Sequence, residues 1–242
     1  MSINYLRTRL AGALGVSLLM VAMAADLGTS ELEQARDRQD LAALEHLIPQ
    51  YQHAAQPESA KAQSAEANYR LAVAYSYAAE VAMELRDKKK AEGLAEAGIE
   101  AAKKAVSNKP SDAEYHRILG ELCGQVIPAN PVFGSLKYGQ CARDEINKAI
   151  ELDNRLALAY VSRGVGNFYL PSSMGGGVDL ALKDLDKAIS LSPNLAEAYL
   201  WKGIALRKMN RHAEARQALQ HALQLDPDRL WAKQQLNKTP AQ

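Results

Sequence analysis

An all-α fold, built as a solenoid of stacked helix pairs, is predicted by three observations. The chain is rich in Ala and Leu, the residues that lose least on entering a helix. A Gly, an Ala, an apolar residue and a second Ala recur in that order in three successive segments. Pro then closes two helical stripes and leads into the next segment, at Ser192-Pro193 and Asp226-Pro227.

The chain has 242 residues and a formal net charge of +1, with 29 Lys and Arg against 28 Asp and Glu. That balance, with no basic stripe interleaved with aromatics, argues against a nucleic-acid partner. Lys88, Lys89 and Lys90 form the one dense basic run and read as a solvated helix end.

Residues 1–24 have a separate character. Arg7 and Arg9 precede an apolar stretch from Leu10 to Ala25, too short for a bilayer span, which needs roughly 20 apolar residues. A basic start, a short apolar middle and the small-x-small end Ala22-Met23-Ala24 predict a signal peptide. The protein is then exported, and periplasmic if its source is bacterial; if uncleaved, the segment would instead attach it to a membrane. Cleavage removes two Arg and no acid, so the net charge falls from +1 to −1.

Residues 25–242 are expected to form the solenoid. The clearest unit is 196–229, a span of 34 residues, with Tyr199, Gly203, Ala215, Leu219, Ala222 and Pro227 as landmarks. The unit at 157–195 carries Tyr160, Gly164, Ala181, Leu185, Ala188, Ile189 and Pro193. The unit at 113–156 carries Gly120, Ala142, Ile146, Ala149 and Ile150, with Asn154 in the place of Pro. The two Ala are seven apart in each unit, while Gly to Ala shortens from 22 to 17 to 12 residues. The second helices therefore match, and the connections carry the differences in length. Upstream, Asn68 to Asp87 and Lys90 to Ser107 predict a long pair over 65–112, and 30–58 a degenerate pair with an apolar face at Leu41, Leu44, Leu47 and Ile48. Residues 230–242 read as a capping helix and tail, because a terminal repeat needs a polar outer face.

The order of landmarks in 113–229 resembles the tetratricopeptide repeat (TPR), a helix–turn–helix unit of 34 residues. The resemblance implies a right-handed α-solenoid that binds protein partners. It also implies that the first helix of each unit lines the concave groove, at Leu158, Val161, Val165, Phe168 and Tyr169 in one unit and Glu197, Leu200, Ile204, Arg207 and Lys208 in the next. Glu114, Arg117 and Glu121 take those places in the preceding unit. Such a groove suits an amphipathic helix or extended segment; a small organic ligand is the other occupant it could hold.

Two Pro/Gly stretches, Ile127 to Ser135 and Leu170 to Gly177, are expected to be enlarged loops before second helices. Glycine there could present backbone N–H groups to an anion, or simply supply unusual backbone angles, with Asp179 capping the helix after the second loop. Together with Phe133-Gly134, Tyr169-Leu170-Pro171, Gly175-Gly176-Gly177, Lys148-Ala149-Ile150 and Lys187-Ala188-Ile189, these loops resemble the TPR-like accessory (T) components of TRAP-type solute transporters over roughly 65–195. That resemblance implies a transport accessory role with a small solute or a periplasmic binding protein as partner. Members of that group are typically lipidated on a cysteine that this chain lacks.

Cys123 and Cys141 lie in one repeat, on its first and second helices, and are either a disulfide clasping the first loop or two buried thiols. No pair among His46, His53, His116, His212 and His221 has the four-residue helical spacing of a metal site, and no nucleophile or phosphate-binding motif is present. The sequence therefore predicts no catalytic centre, no cofactor and no metal: a scaffold for protein–protein interaction in the cell envelope, not an enzyme.

Overall fold

A computed structural model describes residues 28–56 and 61–241, with the side chains of residues 61–64 left out. The expected signal peptide falls outside the described residues. Among the described residues there are eleven α-helices, ten of them in five pairs. They are α1 (Ser30–Asp37) and α2 (Leu41–Ala54), α3 (Lys61–Glu84) and α4 (Lys88–Asn108), and α5 (Ala113–Ala129) and α6 (Pro131–Leu152). Next come α7 (Ala157–Tyr169) and α8 (Val178–Leu191), α9 (Ala196–Lys208) and α10 (His212–Leu225), and finally α11 (Leu230–Asn237). The described residues form an all-helical, TPR-like solenoid.

The small landmarks are small because they touch. A Cβ on Gly203 of α9 would come within 2.5 Å of Leu219 and 3.0 Å of the Ala215 carbonyl, both on α10. Gly120 meets Ile146 and the Ala142 carbonyl, and Gly164 meets Leu185 and the Ala181 carbonyl, in the same way. The Gly, first Ala and apolar landmarks of each unit thus form one contact between its two helices. The second Ala of each unit, at 149, 188 and 222, is buried. Helices α1, α3, α5, α7 and α9 each contact the next in that row, so the first helices form a continuous inner wall.

Two features depart from expectation. Helix α3 begins at Lys61, seven residues ahead of Asn68. Its extra turns lack an apolar stripe but consist largely of good helix formers, and Ala65 packs with Ala105 and Tyr115. The first expected loop, Ile127 to Ser135, is almost wholly helix, with Asn130 alone between α5 and α6. Pro128 sits in the last turns of α5, and Pro131 takes the first position of α6, where a missing N–H costs nothing. The chain can fold back this tightly because Gly134 lies against the α5 backbone, where a Cβ would stand 3.0 Å from the Val126 oxygen.

Cys123, fully buried on α5, is bonded to Cys141 on α6, with Cα atoms 6.0 Å apart. The bond ties together two long helices rather than clasping a loop.

Candidate functional site

The inner wall divides into two parts. Along α1, α3 and α5 it is built from charge. Arg117, 6 % exposed, is held by both Glu114 oxygens and by Glu121. Burial alone would lower the Arg117 guanidinium, but the two carboxylates raise it well above its ordinary value. Glu121 also accepts from Ser76 of α3 and Ser162 of α7, both at 2.9 Å, so one carboxylate joins three neighbouring first helices. Tyr69 of α3 donates to Glu114 at 3.0 Å.

This charged wall closes on the far end of the chain. Arg229, just before α11, is 2 % exposed. Its guanidinium donates to Glu80 at 2.5 Å and Glu84 at 2.6 Å, both on α3, almost 150 residues earlier. Gln234 of α11 donates to Gln39 of the α1–α2 turn at 2.8 Å. The row of first helices therefore curves until its two ends meet. Burial pushes the Glu80 carboxyl up to about 8, against the pull of Arg229. Burial also raises Glu84, opposed by Arg229 and by the bond from Gln39. Burial works to lower Arg229, but Glu80 and Glu84 hold it above its ordinary value.

Along α7, α9 and α11 the wall is aromatic. Phe168 meets Tyr169 and Trp201 edge-on, with ring centres 5.1 and 6.0 Å apart. Trp201 continues to Trp231 at 5.3 Å and donates its indole N–H to Glu197 at 2.8 Å. Tyr169 also meets Trp201 edge-on, at 6.1 Å, and stands half exposed at the edge of this group.

The expected groove residues are distributed unevenly over this geometry. Phe168, Tyr169, Leu158 and Val165 remain at least partly accessible. Lys208 is exposed, but its ammonium lies 4.2 Å from the centre of the Phe168 ring and bonds the Phe168 carbonyl at 3.0 Å, so it braces the aromatic row. Val161, Leu200 and Ile204 do not line an open surface. Val161 packs in the core between the α7 and α9 units, and Leu200 and Ile204 pack under Ala232 of α11. The last helix repeats the position of a first helix and covers the faces that a partner would need. Arg207 is tied to Gln235 of α11 through its carbonyl and side chain, at 3.1 and 2.7 Å.

The glycine loop after α7 is present, as a short turn Ser172–Met174 followed by Gly175 and Gly177 at positive φ. Its N–H groups are already engaged: Gly175, Gly176 and Gly177 donate to Ser172, Pro171 and Asn167. The anion reading fails for that reason, and the unusual backbone angles account for the glycines. Asp179 is not the cap. Gly177 holds the cap position without a side-chain bond, and Asp179 lies in the first turn.

Sequence reasoning missed Glu80, Glu84, Trp201, Trp231 and Arg229 as members of one inner surface. The unit landmarks place Arg229 at the end of a repeat, but no periodicity encodes a contact across the whole solenoid.

A family model described as regulator of microtubule dynamics protein 1-3 matches residues 31–170. A tetratricopeptide repeat model matches residues 196–229. Regulator of microtubule dynamics protein 3 from Bos taurus is 26% identical over 175 residues, which is 65% of this chain and 36% of that protein. The chain thus spans about a third of the length of that relative. Among solved structures, the thermophilic TPR protein TTC0263 of Thermus thermophilus superposes with a TM-score of 0.53 at 18% identity, covering 85% of this chain and 97% of its own. The HusA haemophore from Porphyromonas gingivalis superposes at 0.51 and 20% identity, covering 84% and 96%. At these identities both show the fold alone.

Proposed function

The chain belongs to the regulator of microtubule dynamics protein 1-3 family, and on that premise we propose that it is an exported scaffold in the cell envelope that captures a protein partner on the aromatic part of its inner wall. TPR proteins bind protein partners. What supports a site here is the row Tyr169, Phe168, Trp201, Trp231, with Tyr169 half exposed at its edge. Aromatic side chains bring large contact area at little entropic cost and are enriched where partners bind tightly. The charged part of the wall is unsuited to the same role, because its carboxylates are already engaged within the chain.

Export rests on the N-terminal sequence alone, and N-terminal sequencing of protein recovered from the envelope tests it: a chain starting near Ala25 supports export, an intact Met1 opposes cleavage. The transport-accessory reading rests on two enlarged loops, of which the structure keeps only the second, and it draws no support from the families matched.

The partner site is tested by capture from an envelope extract with the wild-type chain and with a Phe168→Ala, Tyr169→Ala variant. The expected result is a protein held by the wild type and lost by a folded variant. A partner held equally by both would remove the aromatic row from the binding surface.

A further inference from the structure

The exposed apolar residues are segregated. Of the eleven large hydrophobics exposed among the described residues, eight lie in the turns between first and second helices or in the first two turns of the second helices. Val132 and Leu136, one turn apart on α6, are 85 % and 86 % exposed, and Met174 in the next turn is 67 % exposed. Phe133, Leu85 and Met209, at corresponding turns of their units, are also exposed. The opposite edge, where second helices lead into the next unit, is made of polar turns such as Lys109 to Asp112 and Asp226 to Asp228, with only Leu152 and Leu230 exposed at 36 % and 37 %.

Polar contacts join the starts of α2, α4 and α6 along this edge. Lys90 at the start of α4 pairs with Glu45 of α2 at 3.0 Å. Asn130 bonds Glu92, and Lys137 of α6 pairs with Glu96 of α4, both at 3.0 Å. These contacts engage Glu45, Glu92 and Glu96; Asp87 caps α4 by accepting from the Lys90 N–H, and Asp179, beside Leu180, is exposed. Arg86, Lys88 and Lys89 are left exposed, with no ion pair among the described residues. They stand beside Leu85, so free positive charge and projecting apolar side chains share one edge.

We infer that this edge docks the protein on an anionic lipid surface, with Val132, Phe133, Leu136 and Met174 entering the headgroup layer and Arg86, Lys88 and Lys89 facing its anionic groups. Basic residues beside projecting aliphatic and aromatic ones are the combination that holds proteins at membrane interfaces. A helical partner would need a continuous groove. Side chains projecting separately from successive turns suit a planar layer that admits each on its own. No helix among the described residues is long and apolar enough to cross a membrane.

The test labels Val132→Cys in the full chain with an environment-sensitive fluorophore, with Leu152→Cys on the opposite edge as reference. Cys123 and Cys141 are bonded to each other, so the label has one target. With phosphatidylcholine vesicles containing phosphatidylglycerol, the label at 132 is expected to shift to the blue and the label at 152 to stay unchanged. Lys88→Glu with Lys89→Glu is expected to weaken the vesicle affinity read at 132 by about tenfold or more. Three results would overturn the inference: no shift at 132, an equal shift at both positions, or a shift at 132 that appears without vesicles as protein concentration rises, which would assign the edge to a second copy of the chain.

Discussion

The two parts of the inner wall use their side chains in opposite ways. On the charged part, Glu121 has three partners, and Arg229 lies 2 % exposed among Glu80, Glu84 and Asp37. On the aromatic part, Tyr169 stands at the edge of a group of four rings with half its surface open. A surface whose polar groups are satisfied from within has little to offer a partner, since binding would first have to break those bonds. A surface with an open aromatic edge gains by being covered. The charged part should therefore govern stability and the aromatic part recognition.

The largest effect that would break this contrast lies at the disulfide, which fastens α5 under the charged part. Cys123→Ser with Cys141→Ser should cost about 3 kcal/mol in the chain-entropy account for a loop of this size, and the same loss should follow reduction of the wild type. Next comes Arg229. Arg229→Ala removes the donor that Glu80 and Glu84 share, and should cost about 2–3 kcal/mol in chemical denaturation. A loss below about 1 kcal/mol, the value of an exposed pair, would mean that the ends do not hold each other.

The third test is the response to pH. The folded Glu80 carboxyl holds its proton up to about 8, while the unfolded chain releases it near the ordinary 4.5. Between those values the folded state binds more protons, so this group makes stability fall as pH rises through the window. Glu80→Gln should flatten that fall in thermal melts between pH 5 and 8; an unchanged slope would place Glu80 outside the account. The smallest stability effect belongs to the aromatic part. Tyr169→Ala should cost less than about 1 kcal/mol while lowering partner capture. A large loss of stability there would make Tyr169 a packing residue.

How much of this is legible in the sequence follows from the range of each interaction. The unit at 196–229 stands out because Gly203, Ala215 and Leu219 touch one another within it, and each needs a particular size. The repeat model matches the same residues. The hairpin between α5 and α6 reads as a loop in the sequence because Pro128 and Pro131 look like breakers. Pro131 takes the first position of α6, where it is tolerated, Pro128 lies in the last turn of α5, and Gly134 permits the close return. Val161, Leu200 and Ile204 have the spacing of groove residues, yet the next helix of the row covers them, and spacing along one helix does not report its neighbour. The contact of Arg229 with α3 joins residues almost 150 apart, and it depends on curvature accumulated over every repeat between them.

That closure is the claim on which the rest stands, and a double-mutant cycle between Arg229→Ala and Glu84→Gln measures it. If the ends meet, the two substitutions should couple by about 1 kcal/mol or more, because each removes part of the same contact. If their effects simply add, to within about 0.3–0.5 kcal/mol, the two residues do not interact and the solenoid is open.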